Sequence, residues 1–169
     1  SIGITTYGAG GTMEGINAYA QNTLYVRNDG DITIDAQGAG SSATGIQAIN
    51  FAAYDLTVDS YGSISVDATA QARGIYIGGN DGNVYVNTGG TIDAGTTGNY
   101  AYGIYVNMVG GLGNVHMSNG ADITATSAGG VAGGIEVYLY YGYGVISSTG
   151  DITATFDEKI SPTGLTDYL

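Results

Sequence analysis

The dipeptide Gly-Ile returns at Gly15-Ile16, Gly45-Ile46, Gly74-Ile75, Gly103-Ile104 and Gly134-Ile135, at spacings of 30, 29, 29 and 31 residues. A period of that length means one supersecondary unit copied along the chain, and it limits the fold to repeat architectures. The stretch from Gly74 to Ala94 shows one whole unit. It holds Gly74-Ile75-Tyr76-Ile77, Asn83-Val84-Tyr85-Val86 and Thr91-Ile92-Asp93-Ala94, separated by Gly- and Asn-rich turns. Each piece places an apolar residue at every second position, the period of a strand with one buried face.

The second and third pieces recur in the other repeats. Leu24-Tyr25-Val26, Leu56-Thr57-Val58, Val115-His116-Met117 and Val145-Ile146-Ser147 match the second; Ile32-Thr33-Ile34, Ile64-Ser65-Val66, Ile123-Thr124-Ala125 and Ile152-Thr153-Ala154 match the third. Between them the gap is nearly constant: Val26 to Ile32, Val58 to Ile64, Val86 to Ile92 and Met117 to Ile123 are each six residues. Gly30, Gly62, Gly90, Gly120 and Gly150 lie in this corner, where a positive φ would suit glycine. The other two connections vary in length, as exposed loops do.

A meander would pair neighbouring strands, but two-residue hairpin turns in strict register are missing. In a parallel coil each strand pairs with its counterpart one repeat later, which explains why like residues fall at like positions. The inward columns are then Ile16, Ile46, Ile75, Ile104 and Ile135; Leu24, Leu56, Val84, Val115 and Val145; and Ile32, Ile64, Ile92, Ile123 and Ile152. Gly and β-branched density rule out helices, and a propeller blade wants four strands in about 40 residues or more. The expected fold is all-β: a single-stranded right-handed parallel β-helix (β-solenoid) of about five coils of ~30 residues, with three short strands per coil. Its hand follows the rule for parallel crossovers.

Residues 1–155 are read as the solenoid, starting in mid-coil, because Ser1-Ile2-Gly3-Ile4-Thr5 aligns with Asp31-Ile32-Thr33-Ile34-Asp35. An open coil edge would be a template for pairing. Residues 156–169 break the repeat and hold the one Pro, Pro162, and the one Lys, Lys159. They are read as a cap over the last coil through Phe156, Ile160 and Leu165, or else as a linker or a donated strand.

The function classes narrow by charge and by what is missing. The net charge is −12, with fifteen acids against Arg27, Arg73 and Lys159, a field that repels nucleic acid and anionic membrane surfaces. Without Cys there is no disulfide and no thiolate metal site. No apolar run approaches the roughly 20 residues of a membrane helix, so direct membrane insertion is not expected. No signal segment opens the chain, so an export signal would have been removed or would lie outside these residues.

The run Gly82-Asn83-Val84-Tyr85-Val86-Asn87-Thr88-Gly89-Gly90-Thr91-Ile92-Asp93-Ala94, begun again at Gly113-Asn114-Val115, resembles the passenger domains of bacterial autotransporters, the type V secreted surface proteins. The resemblance covers about residues 1–155 and rests on motifs shared by solenoids generally. It implies a right-handed β-helix that is secreted or held at the cell surface, exported through a C-terminal barrel absent from this sequence, with roles in adhesion, aggregation or display. The implied partners are a host or neighbouring cell surface, a polysaccharide, or other copies of the chain stacked end to end into a filament. A non-enzymatic structural or adhesive solenoid is the leading expectation, a self-stacking filament subunit the second, and a pectin-lyase-like polysaccharide-active protein the third.

Candidate sites follow from the columns. Asp35 and Asp67 share one, just after the third strand; Asp31, Asp122 and Asp151 share another, just before it. Pectin-degrading enzymes that resemble this fold use clustered Asp with Ca2+ and a nearby Arg, and Arg73 is the one cation placed to approach Asp67. Both columns are interrupted, by Gly95 and Thr126 and by Ser63 and Thr91. A solvated acidic face is therefore expected, with Asp35 and Asp67 as weak Ca2+ candidates and no other cofactor. Gly78-Gly79-Asn80-Asp81-Gly82-Asn83 and Gly110-Gly111-Leu112-Gly113-Asn114 resemble the calcium-binding nonapeptide of RTX proteins but lack its tandem copies, and read as turns. His116, the single His, sits outward on a second strand without a metal or catalytic partner. Thr124-Ala125-Thr126 and Thr153-Ala154-Thr155 fit a Thr-x-Thr ice-binding array that Asp93-Ala94-Gly95 interrupts. No catalytic residue emerges. Tyrosines form the remaining candidate interaction surface: Tyr76 and Tyr105 at one outward position of adjacent coils, Tyr25 and Tyr85 in another column, and Tyr138, Tyr140, Tyr141 and Tyr143 in the last coil.

Overall fold

A computed structural model describes residues 1–79, 81–108 and 113–156, with the backbone alone for residue 156. The expected cap at 156–169 falls almost wholly outside the described residues, as do parts of both RTX-like turns. What is described is all-β, in three sheets whose strands all pair parallel. The six-stranded sheet stacks β1 (Ile2–Thr6), β4 (Ile32–Ala36), β7 (Ile64–Ala68), β10 (Thr91–Thr96), β13 (Asp122–Ser127) and β16 (Ile152–Phe156) in that order. The long-strand sheet stacks β2 (Thr12–Ala20), β5 (Ser42–Asn50), β8 (Gln71–Gly79), β11 (Tyr100–Met108) and β14 (Val131–Leu139), nine residues each. The third sheet stacks β3 (Leu24–Asn28), β6 (Leu56–Ser60), β9 (Val84–Thr88), β12 (Val115–Asn119) and β15 (Gly144–Ser148). Each strand bonds to its counterpart one coil away, never to its neighbour in sequence. The chain is a β-solenoid of about five coils.

The aliphatic columns run in register. Ile46, Ile75 and Ile104 pair in line, as do Ile64, Ile92 and Ile123, and all six are buried in one continuous core. Full burial of one such side chain stabilises by roughly 1.5–3 kcal/mol. In the central unit Ile75, Ile77, Val84, Val86, Ile92 and Ala94 all point inward and are buried. A solenoid joins each coil only to its neighbours, so the central coils carry this term in full.

The structure corrects three details. Val145 does not continue the inward column of Val115: Gly144 faces Val115, Val145 faces His116 and Ile146 faces Met117. Val145-Ile146 is an apolar pair that suits either register, and the choice is made by backbone anchors. Tyr143 N donates to Asn114 Oδ1 at 3.1 Å and Val115 N donates to Tyr143 O at 3.0 Å, which turns Val145 outward. The first strands begin three residues before their Gly, so Gly15, Gly45, Gly74, Gly103 and Gly134 lie inside strands. Finally, of the corner glycines only Gly90 has a positive φ, 74°. Gly62 and Gly150 serve close approach of stacked backbones: a Cβ at Gly62 would lie 2.1 Å from Gly30 O, and one at Gly150 2.0 Å from Ala121 O.

What closes the constant corner is a polar column at the end of the second strands: Asn28, Ser60, Thr88, Asn119 and Ser148, in register across five coils. Asn28 Nδ2 donates to Ser60 Oγ at 3.2 Å, Thr88 donates to Asn119 Oδ1, and Asn119 Nδ2 donates to Ser148 Oγ at 2.9 Å. Asn119 also bridges its own corner, giving to Ala121 O at 3.0 Å and accepting from Ala121 N at 3.3 Å. Buried polar groups tied in this way keep their hydrogen bonds without water.

Candidate functional site

The carboxylate columns come first, because a reaction would need them. Asp35 and Asp67 are register partners, with Gly95 beyond them. Partial desolvation pushes the Asp67 carboxyl above the usual range, and the charges of Asp93 and Asp35 push it further. Arg73 does not relieve it. Arg73 is on β8, register partner of Thr44 and Tyr102. Its Nη2 donates to Gln71 Oε1 at 2.9 Å, and its guanidinium lies 5.3 Å from the Tyr76 ring centroid and 5.8 Å from that of Tyr105. The expected Arg–Asp67 approach is thus replaced by a cation–π contact, which suits a weakly hydrated guanidinium beside two rings. Among the described residues no three metal-binding side chains converge.

The second acidic column serves the stack. Asp31 Oδ1 accepts from Ser63 N of the next coil at 3.2 Å, and Asp122 Oδ1 accepts from Asp151 N at 3.0 Å. The same device recurs ahead of the second strands. Asp55 Oδ1 accepts from Asn83 N at 3.0 Å, Asn83 Oδ1 from Asn114 N at 3.2 Å, and Asn114 Oδ1 from Tyr143 N at 3.1 Å. A side-chain oxygen thereby continues the backbone ladder past the strand end, where a main-chain amide would otherwise lack a partner. The Asn before the second strand carries this role in the Gly-Asn-Val motif. Its spacing was visible in the sequence; its hydrogen bond was not.

The outward face of the long-strand sheet gathers the aromatic side chains. Tyr76 and Tyr105 are register partners, with ring centroids 5.7 Å apart and planes 22° from parallel. Tyr102 joins at 5.0 Å from Tyr105, Tyr138 at 5.7 Å, and Tyr100 at 6.2 Å from Tyr102. The Glu136 carboxylate acts on the Tyr102 and Tyr138 hydroxyls and raises both phenols. Burial, then the Glu136 charge, raises the Tyr102 phenol well above its usual value. So four of these five rings, all but Tyr100, are tied to a carboxylate, a guanidinium or a register partner, and form an ordered patch. Tyr100, Tyr102 and Arg73 were not singled out for it from the sequence, since their columns emerge only once the strands are known to start before the Gly.

Next to Tyr76 the patch opens into a groove of about 290 Å3, lined by Ile49, Phe51, Tyr76, Gly78 and Asn107 among others. The outward column there reads Tyr19, Ile49, Gly78, Asn107 and Tyr138. The missing side chain of Gly78 makes the notch. Phe51, which stacks on Tyr19 at 5.8 Å and 6°, closes one side.

The last-coil tyrosines do not form one site. Tyr138 belongs to the patch, Tyr140 and Tyr141 meet edge to face at 4.9 Å, and Tyr143 stands just before β15, edge-on to His116 at 5.7 Å. His116 stacks on Tyr85 at 5.4 Å, as one more ring in that column. Tyr25 and Tyr85 do share it, two coils apart with Thr57 between. Thr124 pairs with Thr153 and Thr126 with Thr155, and Asp93 and Gly95 do interrupt the array one coil below.

Compared with family models, with curated proteins and with solved structures, the chain has no match.

Proposed function

We propose that this chain is a non-enzymatic β-solenoid that works outside the cell, as a rigid adhesive or structural part of a bacterial surface protein. One observation carries the reading: the acidic columns are spent on stacking or stand apart from the Arg73 charge, whereas the organised outward chemistry is the tyrosine patch around Tyr76 and Tyr105. Rigid amphipathic rings on a flat sheet give contact area at small entropic cost, which suits binding rather than bond cleavage. The polysaccharide-cleaving alternative needs a cation beside Asp67, and Arg73 is turned onto the rings instead.

The test is adhesion of beads coated with the purified chain to bacterial and host-cell monolayers, with Tyr76→Ala/Tyr105→Ala beads as control. Retention well above uncoated beads, falling severalfold in the control, supports the reading. Retention equal to uncoated beads sinks it. Sedimentation of the same chain over a range of concentrations bears on end-to-end stacking: concentration-dependent rods would favour the filament subunit, and a monomer throughout would remove it.

A further inference from the structure

The notch over Gly78 is a pocket in an otherwise filled column. Its floor is the β8 backbone, and Ile49 and Phe51 give it apolar walls. Two polar groups meet there. The Tyr76 hydroxyl leans over Gly78, 3.6 Å from where a Cβ would stand, and Asn107, the register partner of Gly78, is half-buried at the rim. The Asn107 amide makes no hydrogen bond among the described residues. An apolar cleft with a few placed polar groups is the usual form of a small-ligand site, and about 290 Å3 is near the lower end of such clefts, roughly 300 Å3. That is room for one ring of a ligand, with the rest running out over the patch.

We infer that the Gly78 notch binds one pyranose ring of a neutral glycan, with the ring's apolar C–H face against Phe51 and Ile49 and its hydroxyls on Tyr76 and Asn107. Charge decides between neutral and acidic sugars. The chain carries −12, Glu136 lies in the adjoining patch, and the nearest cation among the described residues, Arg73, is engaged with Gln71 and two rings. An anionic glycan would meet net repulsion and no available counter-charge among the described residues. A sugar hydroxyl network is met by a donor–acceptor amide and a phenol, which need no charge. The inference rests on the binding role proposed above and names its ligand class.

The experiment is an NMR titration of the 15N-labelled chain with cellotetraose, maltotetraose and chitotetraose, with tetragalacturonate as the acidic comparison. Saturable shifts of the Gly78 amide and the Asn107 side-chain NH2 with at least one neutral probe are expected. Tyr76→Ala, Asn107→Ala and Gly78→Val should each weaken that binding tenfold or more, and Gly78→Val does so by filling the notch. The nearest atoms to a Cβ at Gly78 are side-chain atoms, Ile49 Cγ1 first at 3.3 Å, so Gly78→Val asks Ile49 to shift; should that variant melt below the parent, Asn107→Ala alone decides. No saturable shift with any neutral probe at millimolar concentration overturns the inference. So does binding that the variants leave unchanged, or binding of tetragalacturonate alone. Beads that adhere while no neutral probe binds would overturn the glycan assignment and leave the adhesive reading standing.

Discussion

A methyl group on Gly74 would stand 2.3 Å from Ile92 Cγ2 and 2.6 Å from Gly103 O. The position a Cβ would take is already filled by an isoleucine of the third strand and by the backbone of the next coil. The same holds at Gly45 against Ile64 and at Gly103 against Ile123. The Gly-Ile repeat is therefore a packing joint: Gly admits the Ile of one sheet against the backbone of another. Gly74→Ala should cost about 1–3 kcal/mol, the range for overpacking a core. Gly78→Ala, outward on the same strand, should be close to neutral. Urea melts of the two variants check the contrast, and equal midpoints would refute the joint.

Ile75 is fully buried in the central coil. Ile75→Ala should cost roughly 2–5 kcal/mol. Ile75→Asp places a charge where no partner reaches it and should abolish cooperative unfolding. Circular dichroism melts report both. A cooperative melt for the Asp variant would contradict the inward assignment.

Asn119 is 2% exposed and ties three levels of the stack. Asn119→Ala leaves Thr88, Ser148 and the Ala121 amide without this partner, and each buried group so orphaned costs about 1–3 kcal/mol. The expected loss exceeds that of Ser148→Ala, which removes one rung at an exposed end. Chemical denaturation of the two variants ranks them.

Asp67 gives the protein a pH dependence of definite sign. Its folded-state pKa is raised by desolvation and by Asp93 and Asp35. Between the ordinary carboxylate value and the raised one, the folded state binds more protons than the unfolded state. Stability contributed by this group is thus fully present below the unfolded pKa and lost as pH rises through the folded pKa. Asp67→Asn should melt at a higher temperature than the parent at pH 7, with the gap narrowing as pH falls into the acid range. Melting temperatures from pH 3.5 to 7.5 read this directly, and a gap that widens on acidification would reverse the assignment.

The period, the parallel pairing and most inward columns were legible because every copy of the unit repeats the same choice: an isoleucine after Gly15, Gly45, Gly74, Gly103 and Gly134 admits few alternatives. The pairing of Asp35 with Asp67 and of Tyr76 with Tyr105 follows from that period alone and is observed. Val145 marks the limit of the alternation. Two adjacent apolar residues satisfy the alternation in either register, and a hydrogen bond from Tyr143 to Asn114 decides between them. The corner glycines likewise suggested a turn conformation, yet Gly62 and Gly150 answer to the distance between stacked backbones.

Periodicity alone makes this chain a stack of like coils, since a side-chain period of two nested in a repeat of about thirty has few packings that bury every aliphatic column. Where Arg73 points, which oxygens cap the ladders and the groove beside Gly78 are set by the folded packing. Those depend on contacts between residues some thirty positions apart, and on the shape left where a side chain is missing. A glycine spells both a packing joint at Gly74 and a notch at Gly78 with the same letter; at Gly74 backbone stands 2.6 Å from the absent methyl, whereas at Gly78 the nearest atoms are side-chain atoms at 3.3 Å and beyond.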